Sequence, residues 1–304
     1  MALDERDGGR LSAASTAEAV AAMRAAGALE RDPAVRNPDH LAHHFVPGGL
    51  RLPALVKLPA LGRLMPRVIE RMAPGAYCFE TARTKHLDAV LRAELGEGLD
   101  VLVLLGAGYD SRPYRMGREL AGVRVLEVDH PAMSAIKQEK VRSLPAPGAA
   151  AVTYVAVDFA RDDLPARLAA AGHDLSARTL FVWSGVTPYI PETAVRGVLG
   201  FVASHSSPRT SIAFDYCYRE MIEGDHSFYG ARELLARVRR MGEPLVFGIP
   251  RGGAEAFVAS EGLGLRSHLG EEDAVRRHLI RSDGTVHGRP YGFGGFVHAG
   301  VSGG

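Results

Sequence analysis

Only two cysteines, Cys78 and Cys217, occur in 304 residues. They lie far apart, form no metal-binding spacing and no disulfide framework, and fit a reducing compartment. Charge of either sign is scarcely in excess. The 36 Lys and Arg and 35 Asp and Glu leave a formal net charge of +1. A dedicated nucleic-acid binder carries a basic surplus, so that class is excluded. No apolar run approaches the roughly 20 residues that cross a bilayer. Residues 1–14 are polar and mixed in charge, without the apolar centre of a secretory signal. There is no internal repeat and no low-complexity tract. These absences predict a cytoplasmic protein with neither membrane nor nucleic acid as partner. The 46% of residues that are hydrophobic are enough for a full core.

The chain changes character along its length. After a frayed start over 1–14, a helix is expected over 15–29, capped by Ser15 or Thr16 and rich in alanine. Residues 31–76 carry seven prolines, which permit short helical turns and exclude a long helix. A helix follows at 80–95. Strands at 100–105, 123–128, 152–157, 179–183 and 209–215 then alternate with helices at 131–144, 163–171 and 191–204. That rhythm predicts a parallel sheet covered on both faces. The tail adds helices at 228–241, 252–261 and 271–280, with strands at 244–248, 264–269 and 294–301.

The most informative stretch runs from Val101 to Arg115. Five Val and Leu residues lead straight into Gly106-Ala107-Gly108. A buried parallel strand presents a backbone turn to a nucleotide-like ligand in this way. Glycine at both positions lets the main chain bend and approach the ligand with no Cβ in between. Glu127 and Asp129 close the next apolar run, about 20 positions on, where such units place the acceptor for ribose hydroxyls. The third glycine of the dinucleotide fingerprint is missing, because Ser111 stands there. A nicotinamide-dependent oxidoreductase would also need a Tyr/Lys or His/Asp arrangement, and none is visible. Ligands of open α/β sheets bind beyond the carboxyl ends of the strands. Here those ends carry Gly106 and Gly108, Glu127 and Asp129, Asp158 and Phe159, Ser184 and Gly185, and Asp215 and Tyr216.

Six segments occur in a telling order. They are Ala82-Arg83-Thr84, the run from Leu105 to Arg112, Glu127-Val128-Asp129-His130-Pro131, Val157-Asp158-Phe159, the run from Trp183 to Pro191, and Phe214-Asp215-Tyr216. Together they resemble the leucine carboxyl methyltransferase family of S-adenosylmethionine-dependent methyltransferases, and its bacterial branch most closely. The resemblance implies a Rossmann-like class I methyltransferase fold of the α/β class. Its seven-stranded, mostly parallel sheet would have an antiparallel last strand, which the Gly294–His298 run fits. Residues 1–78 would form an N-terminal helical cap, and 79–304 the domain that binds S-adenosylmethionine.

Carried over residue by residue, Arg83 would hold the methionine carboxylate of the cofactor through two parallel charge-assisted bonds. Gly106, Ala107 and Gly108 would let the backbone pass beside the methionyl and ribose parts. Asp129, with Glu127 as the rival, would accept from the ribose hydroxyls. Both face the same side of their strand. Asp158 would accept from the adenine amino group, with Phe159 beside the ring. The alternative for Asp158 is a cap on the helix at 163–171. Where much of the family has Glu, expected to contact the cofactor's ammonium group, this chain has Ser184. Serine keeps a hydrogen bond and loses the charge, so either affinity drops, or another acid compensates, or this branch uses a different arrangement.

The implied reaction is in-line methyl transfer to an oxygen nucleophile, a carboxylate of a small molecule or peptide. A carboxyl group with a pKa of about 4 is already ionised and needs no base, whereas a phenol near 10 would need one. No clear base is present, and His226 is a candidate only for a hydroxyl acceptor. Tyr189 and Tyr216 follow strand ends and are the candidates for lining the acceptor side. An S-adenosylmethionine binder without turnover and a methyltransferase acting on a protein carboxylate are the alternatives. His40, His43 and His44 suggest no metal site, since the adjacent pair cannot easily point at one ion. The basic residues Arg51, Lys57, Arg63, Arg67 and Arg71 read as part of a cap on the sheet. Prolines interrupt any continuous membrane-facing surface there.

Overall fold

Strand β1 (Val101–Leu105) is buried at every position. Side chains alternate across a strand, so Val101, Val103 and Leu105 join one core cluster while Leu102 and Leu104 join another. A strand buried on both faces must lie in the middle of a covered sheet. The computed structural model, which describes residues 5–46, 64–146, 148–159, 161–205 and 207–301, places it there. The other strands are β2 (Arg124–Asp129), β3 (Val152–Ala156), β4 (Thr179–Trp183), β5 (Ser211–Cys217), β6 (Leu263–Leu269) and β7 (Gly294–Val301). Their order is β3-β2-β1-β4-β5-β7-β6. The first five run parallel, and β7 is antiparallel to both β5 and β6. The expected seven-stranded sheet with its antiparallel last strand is thus present.

Strand order reverses between β1 and β4, the crevice where such sheets bind ligands. The register pairs Leu105 with Val128 on one side and Trp183 on the other. Gly106, Asp129 and Ser184 therefore leave the sheet side by side. Helix α3 (Ala76–Gly96) covers one face through Leu87, Val90 and Leu91, and α7 (Glu192–Ala203) helps cover the other through Val195, Val198, Leu199 and Val202.

The helices on the strand-to-strand connections are α4 (Arg112–Arg115), α5 (Pro131–Val141) and α6 (Leu164–Ala170). The later part of the chain adds α8 (Arg219–Ile222), α9 (Ala231–Met241), α10 (Ala254–Ser260) and α11 (Glu271–His278).

Several boundaries differ from the sequence expectation. Helix α1 spans Glu5–Ala28, so it begins ten residues before Ser15. Helix α3 starts at Ala76 instead of Glu80, directly after Gly75, whose φ of +84° ends the preceding turn. A helix thus runs through residue 78, and Ala21, Ala22, Ala25 and Ala26 of α1 share a core cluster with Phe79, Ala82 and Phe296. The described part of 31–76 contains a short 3-10 turn (Ala42–His44) and α2 (Met65–Met72), which carries Pro66 in its first turn. Arg51, Lys57 and Arg63 lie outside the described residues. The expected strand at 244–248 is not one. Its amides at Val246 and Phe247 both reach the Pro188 carbonyl, and only Ile249 bridges to Tyr218. The segment runs past the carboxyl end of β5, where no neighbouring strand remains to pair with. No helix among the described residues is long and apolar enough to cross a membrane.

Candidate active site

A cavity of about 970 Å³ opens at the carboxyl ends of the strands around the β1/β4 crevice. Gly106, Ala107, Gly108, Asp129, Asp158, Phe159, Ser184, Arg83 and Tyr189 all line it. The turn after β1 needs its glycines. Gly106 has φ of +59° and Gly108 +43°, a region that costs other residues about 1–2 kcal/mol. A Cβ on Gly106 would also collide with Cγ2 of Val186.

Asp129 is tied to that turn. Its Oδ2 accepts from the Gly108 amide at 2.6 Å and its Oδ1 from the His130 amide at 2.7 Å. Burial pushes its carboxyl above the ordinary range against the pull of those two donors. Glu127, the rival, faces the same side two residues earlier, yet it lines no part of the cavity. Its Oε1 lies 2.8 Å from Nζ of Lys137, itself buried, and 3.4 Å from the Tyr114 hydroxyl. Burial raises the Glu127 carboxyl to about 7, with Lys137 opposing. This pair belongs to the interior.

On the opposite wall, Arg83 of α3 is buried between two carboxylates. Its Nη1 donates to Oδ2 of Asp215 at 3.0 Å and its Nη2 to Oε1 of Glu80 at 2.5 Å. Burial alone would lower its basicity, but the two acids outweigh burial and keep the guanidinium charged. The other oxygen of Asp215 accepts from the Gly185 amide at 2.7 Å, which fixes the turn after β4 against the same cluster. A Cβ on Gly185 would come within 2.8 Å of Arg83 Nη1. Glu80 keeps one oxygen in reserve. Its Oε2 is buried with no hydrogen-bond partner among the described residues. Two carboxylates around one guanidinium give the cluster a net charge of −1.

Asp158 and Phe159 follow β3 and face the cavity. The cap on α6 is Asp163, which accepts from the Ala166 amide at 3.1 Å, so Asp158 is not that cap. Tyr189 is half-buried and lines both this cavity and a second one of about 340 Å³. Tyr216 does not reach either. It points to the opposite face of β5 from Asp215 and pairs its hydroxyl with Nε2 of His268 at 2.9 Å. The expectation that it lines the acceptor side is corrected by this one-residue alternation. His226 is exposed on a loop and lines neither cavity, so it is removed as a base. Asp39, beside the histidines at 40, 43 and 44, is occupied by Arg24 and Ser111. No cluster of metal-ligating side chains exists among the described residues.

Glu80 is not among the expected site residues, and Asp215 is expected at a strand end without an assigned role. Glu80 lies three residues before Arg83, a spacing that puts both on one helix face. That signal was available in the sequence.

The family model for leucine carboxyl methyltransferase matches residues 17–203. A protein of Streptomyces coelicolor, assigned by name as an S-adenosyl-L-methionine-dependent methyltransferase, is 35% identical over 209 residues, covering 69% of this chain and 71% of the relative. A similarly named protein of Mycolicibacterium vanbaalenii is 30% identical over 290 residues, covering 92% of this chain and 88% of the relative. Among solved structures, a duf574 family protein from Streptomyces avermitilis shares the fold with a TM-score of 0.58 at 16% identity, covering 90% of this chain and 99% of that one. A protein from Thermobifida fusca assigned as a methyltransferase superposes with a TM-score of 0.55 at 15% identity, over 80% of this chain and 89% of that one. This chain belongs to the leucine carboxyl methyltransferase family of S-adenosylmethionine-dependent methyltransferases.

Proposed function

We propose that this protein methylates a carboxylate oxygen of a small molecule or peptide. The observation that carries the reading is the Glu80–Arg83 pair, held from behind by Asp215, which shares the large cavity with the glycine turn. Its Arg83 matches the methionyl carboxylate, and the unpartnered Oε2 of Glu80 matches the ammonium group. Glu80 would thereby supply the charge that Ser184 lacks. Asp129 would accept from the ribose hydroxyls and Asp158 from the adenine amino group, with Phe159 against the ring. Bound S-adenosylmethionine supplies an electrophilic methyl group on a positively charged sulfur. The cluster charge of −1 complements the net +1 of that cofactor.

The rest is positioning. Tyr189 stands between the two cavities and would orient the acceptor oxygen for in-line attack. A lone pair of that oxygen forms the new C–O bond while the C–S pair returns to sulfur. An ionised carboxylate brings no proton to remove, which suits a wall on which the two acids are already engaged with Arg83. Calorimetric titration with S-adenosylmethionine and with NADH tests the cofactor assignment. Binding of the first alone, weakened about tenfold or more in Arg83→Lys, supports it. The magnitude follows from losing a bidentate charged contact. Failure to bind S-adenosylmethionine would overturn it.

A further inference from the structure

The smaller cavity shares Thr16, Val20, Glu80, Arg83, Gly185 and Tyr189 with the cofactor cavity. Methyl transfer needs the acceptor on the far side of such a shared wall from the adenosyl moiety, so the smaller cavity is the place for it. Its remaining lining is mostly apolar, with Met23, Ile69, Phe79 and Leu234 among its walls. At about 340 Å³ it lies at the small end of the range of small-molecule sites. It has room for a medium-length chain or a single ring, and none for a folded partner.

One lining residue is out of character. Arg237, on α9, is half-buried in this apolar surface but has no carboxylate within ion-pair distance among the described residues. The buried arginines among the described residues are all paired: Arg83 with Glu80 and Asp215, Arg112 with Asp88, and Arg178 with Glu94. The two acids that line the smaller cavity, Glu80 and Asp215, are both held by Arg83. Arg237 also lies off the wall shared with the cofactor cavity, so it cannot be what holds the reacting oxygen. With no carboxylate beside it among the described residues, the half-buried Arg237 is available to an anionic group on a ligand in this cavity.

The geometry points to the smaller cavity as the acceptor site, and to an acceptor with an apolar body and two acidic ends. One carboxylate meets the methyl donor at the Glu80–Arg83–Tyr189 wall. The other anionic group pairs with Arg237 and is not methylated. The product is a monoester. This inference rests on the methyl-transfer reading above and narrows it to small diacids.

Decanedioate and decanoate are the probes, each titrated calorimetrically into protein saturated with S-adenosylhomocysteine, with hexanedioate and dodecanedioate as length controls. The expected result is that at least one dicarboxylate binds about tenfold or more tighter than decanoate, the size of one charge-assisted hydrogen bond. In Arg237→Gln that preference disappears while the affinity for S-adenosylhomocysteine stays unchanged. Leu234→Trp, which fills the cavity beside Arg237, abolishes dicarboxylate binding and again spares S-adenosylhomocysteine. Equal binding of the diacids and decanoate, no diacid binding, or a preference that survives Arg237→Gln would each overturn the proposal. Diacid binding with no ester formed on adding S-adenosylmethionine would instead count against the methyl-transfer reading and leave the diacid site standing.

Discussion

Replacing Glu80 by Gln removes one charge from the cofactor wall and almost no volume. Arg83 keeps Asp215 at 3.0 Å, so the buried guanidinium is not orphaned and the fold survives. What changes is the free Oε2, which is buried and unpartnered among the described residues. If it receives the cofactor's ammonium group, the variant exchanges an ion-paired hydrogen bond for one charged on the ammonium side alone, a loss on the order of 1.5 kcal/mol. The net loss of about 1.5 kcal/mol corresponds to roughly a tenfold weaker Kd for S-adenosylmethionine. Calorimetry reads this directly. 5′-Methylthioadenosine, which lacks the ammonium and carboxylate groups, is the internal control, and its Kd should be the same in wild type and Glu80→Gln. Ser184→Ala should change the S-adenosylmethionine Kd by much less, since it removes no charge. An unchanged Kd in a folded Glu80→Gln protein would refute the assignment. So would an equal loss for 5′-methylthioadenosine, because the effect would then be a general distortion of the cavity.

Other perturbations give equally definite outcomes. Asp129→Asn should weaken S-adenosylmethionine and 5′-methylthioadenosine alike, because both carry the ribose; a loss confined to the first would contradict the ribose role. Gly106→Ala should lower Tm by several degrees in thermal unfolding, since the residue sits at φ of +59° and its Cβ would press on Val186. An unshifted Tm would mean that the turn relaxes freely. Glu127 gives a pH signature. The folded state holds its proton up to about pH 7, while an ordinary Glu releases it near 4.5. Its contribution to stability is therefore fully present below pH 4.5 and is lost as pH rises through 7. Unfolding free energies measured across that window should fall less steeply in Glu127→Gln than in wild type, and identical slopes would contradict the assignment. Lys137→Met should be more destabilising at pH 8 than at pH 6, because without the cation that lowers its pKa Glu127 holds its proton more tightly and the variant loses more stability than wild type as pH rises through that window.

Much of the architecture was legible because its signals are local. The Val and Leu run of β1 leads to two glycines that occupy the positive-φ turn, and the carboxylate at Asp129 reaches back to that turn. Boundaries were harder. An alanine-rich helix has no internal feature that marks where it begins, so α1 was placed ten residues short. The extended segment at 244–248 has the composition of a strand, but pairing depends on a neighbour, and none continues beyond β5. In the site, the errors came from direction. Asp215 and Tyr216 are adjacent, both end a strand, and only one can face the cavity. Glu127 and Asp129 share a side, and depth in the sheet decides between them, since Lys137 of α5 reaches the deeper one. Glu80 was missed because its meaning depends on Asp215, which is 135 positions away in the chain.

The most direct test of carboxylate methylation is the fate of a labelled methyl group. The protein is incubated with methyl-tritiated S-adenosylmethionine and decanedioate, and the product is treated with mild alkali. A carboxylate ester releases its label as volatile methanol, and the account predicts that most of the transferred tritium becomes volatile. Transferred label that resists alkali is not a carboxylate ester of the diacid, and it would contradict the central claim.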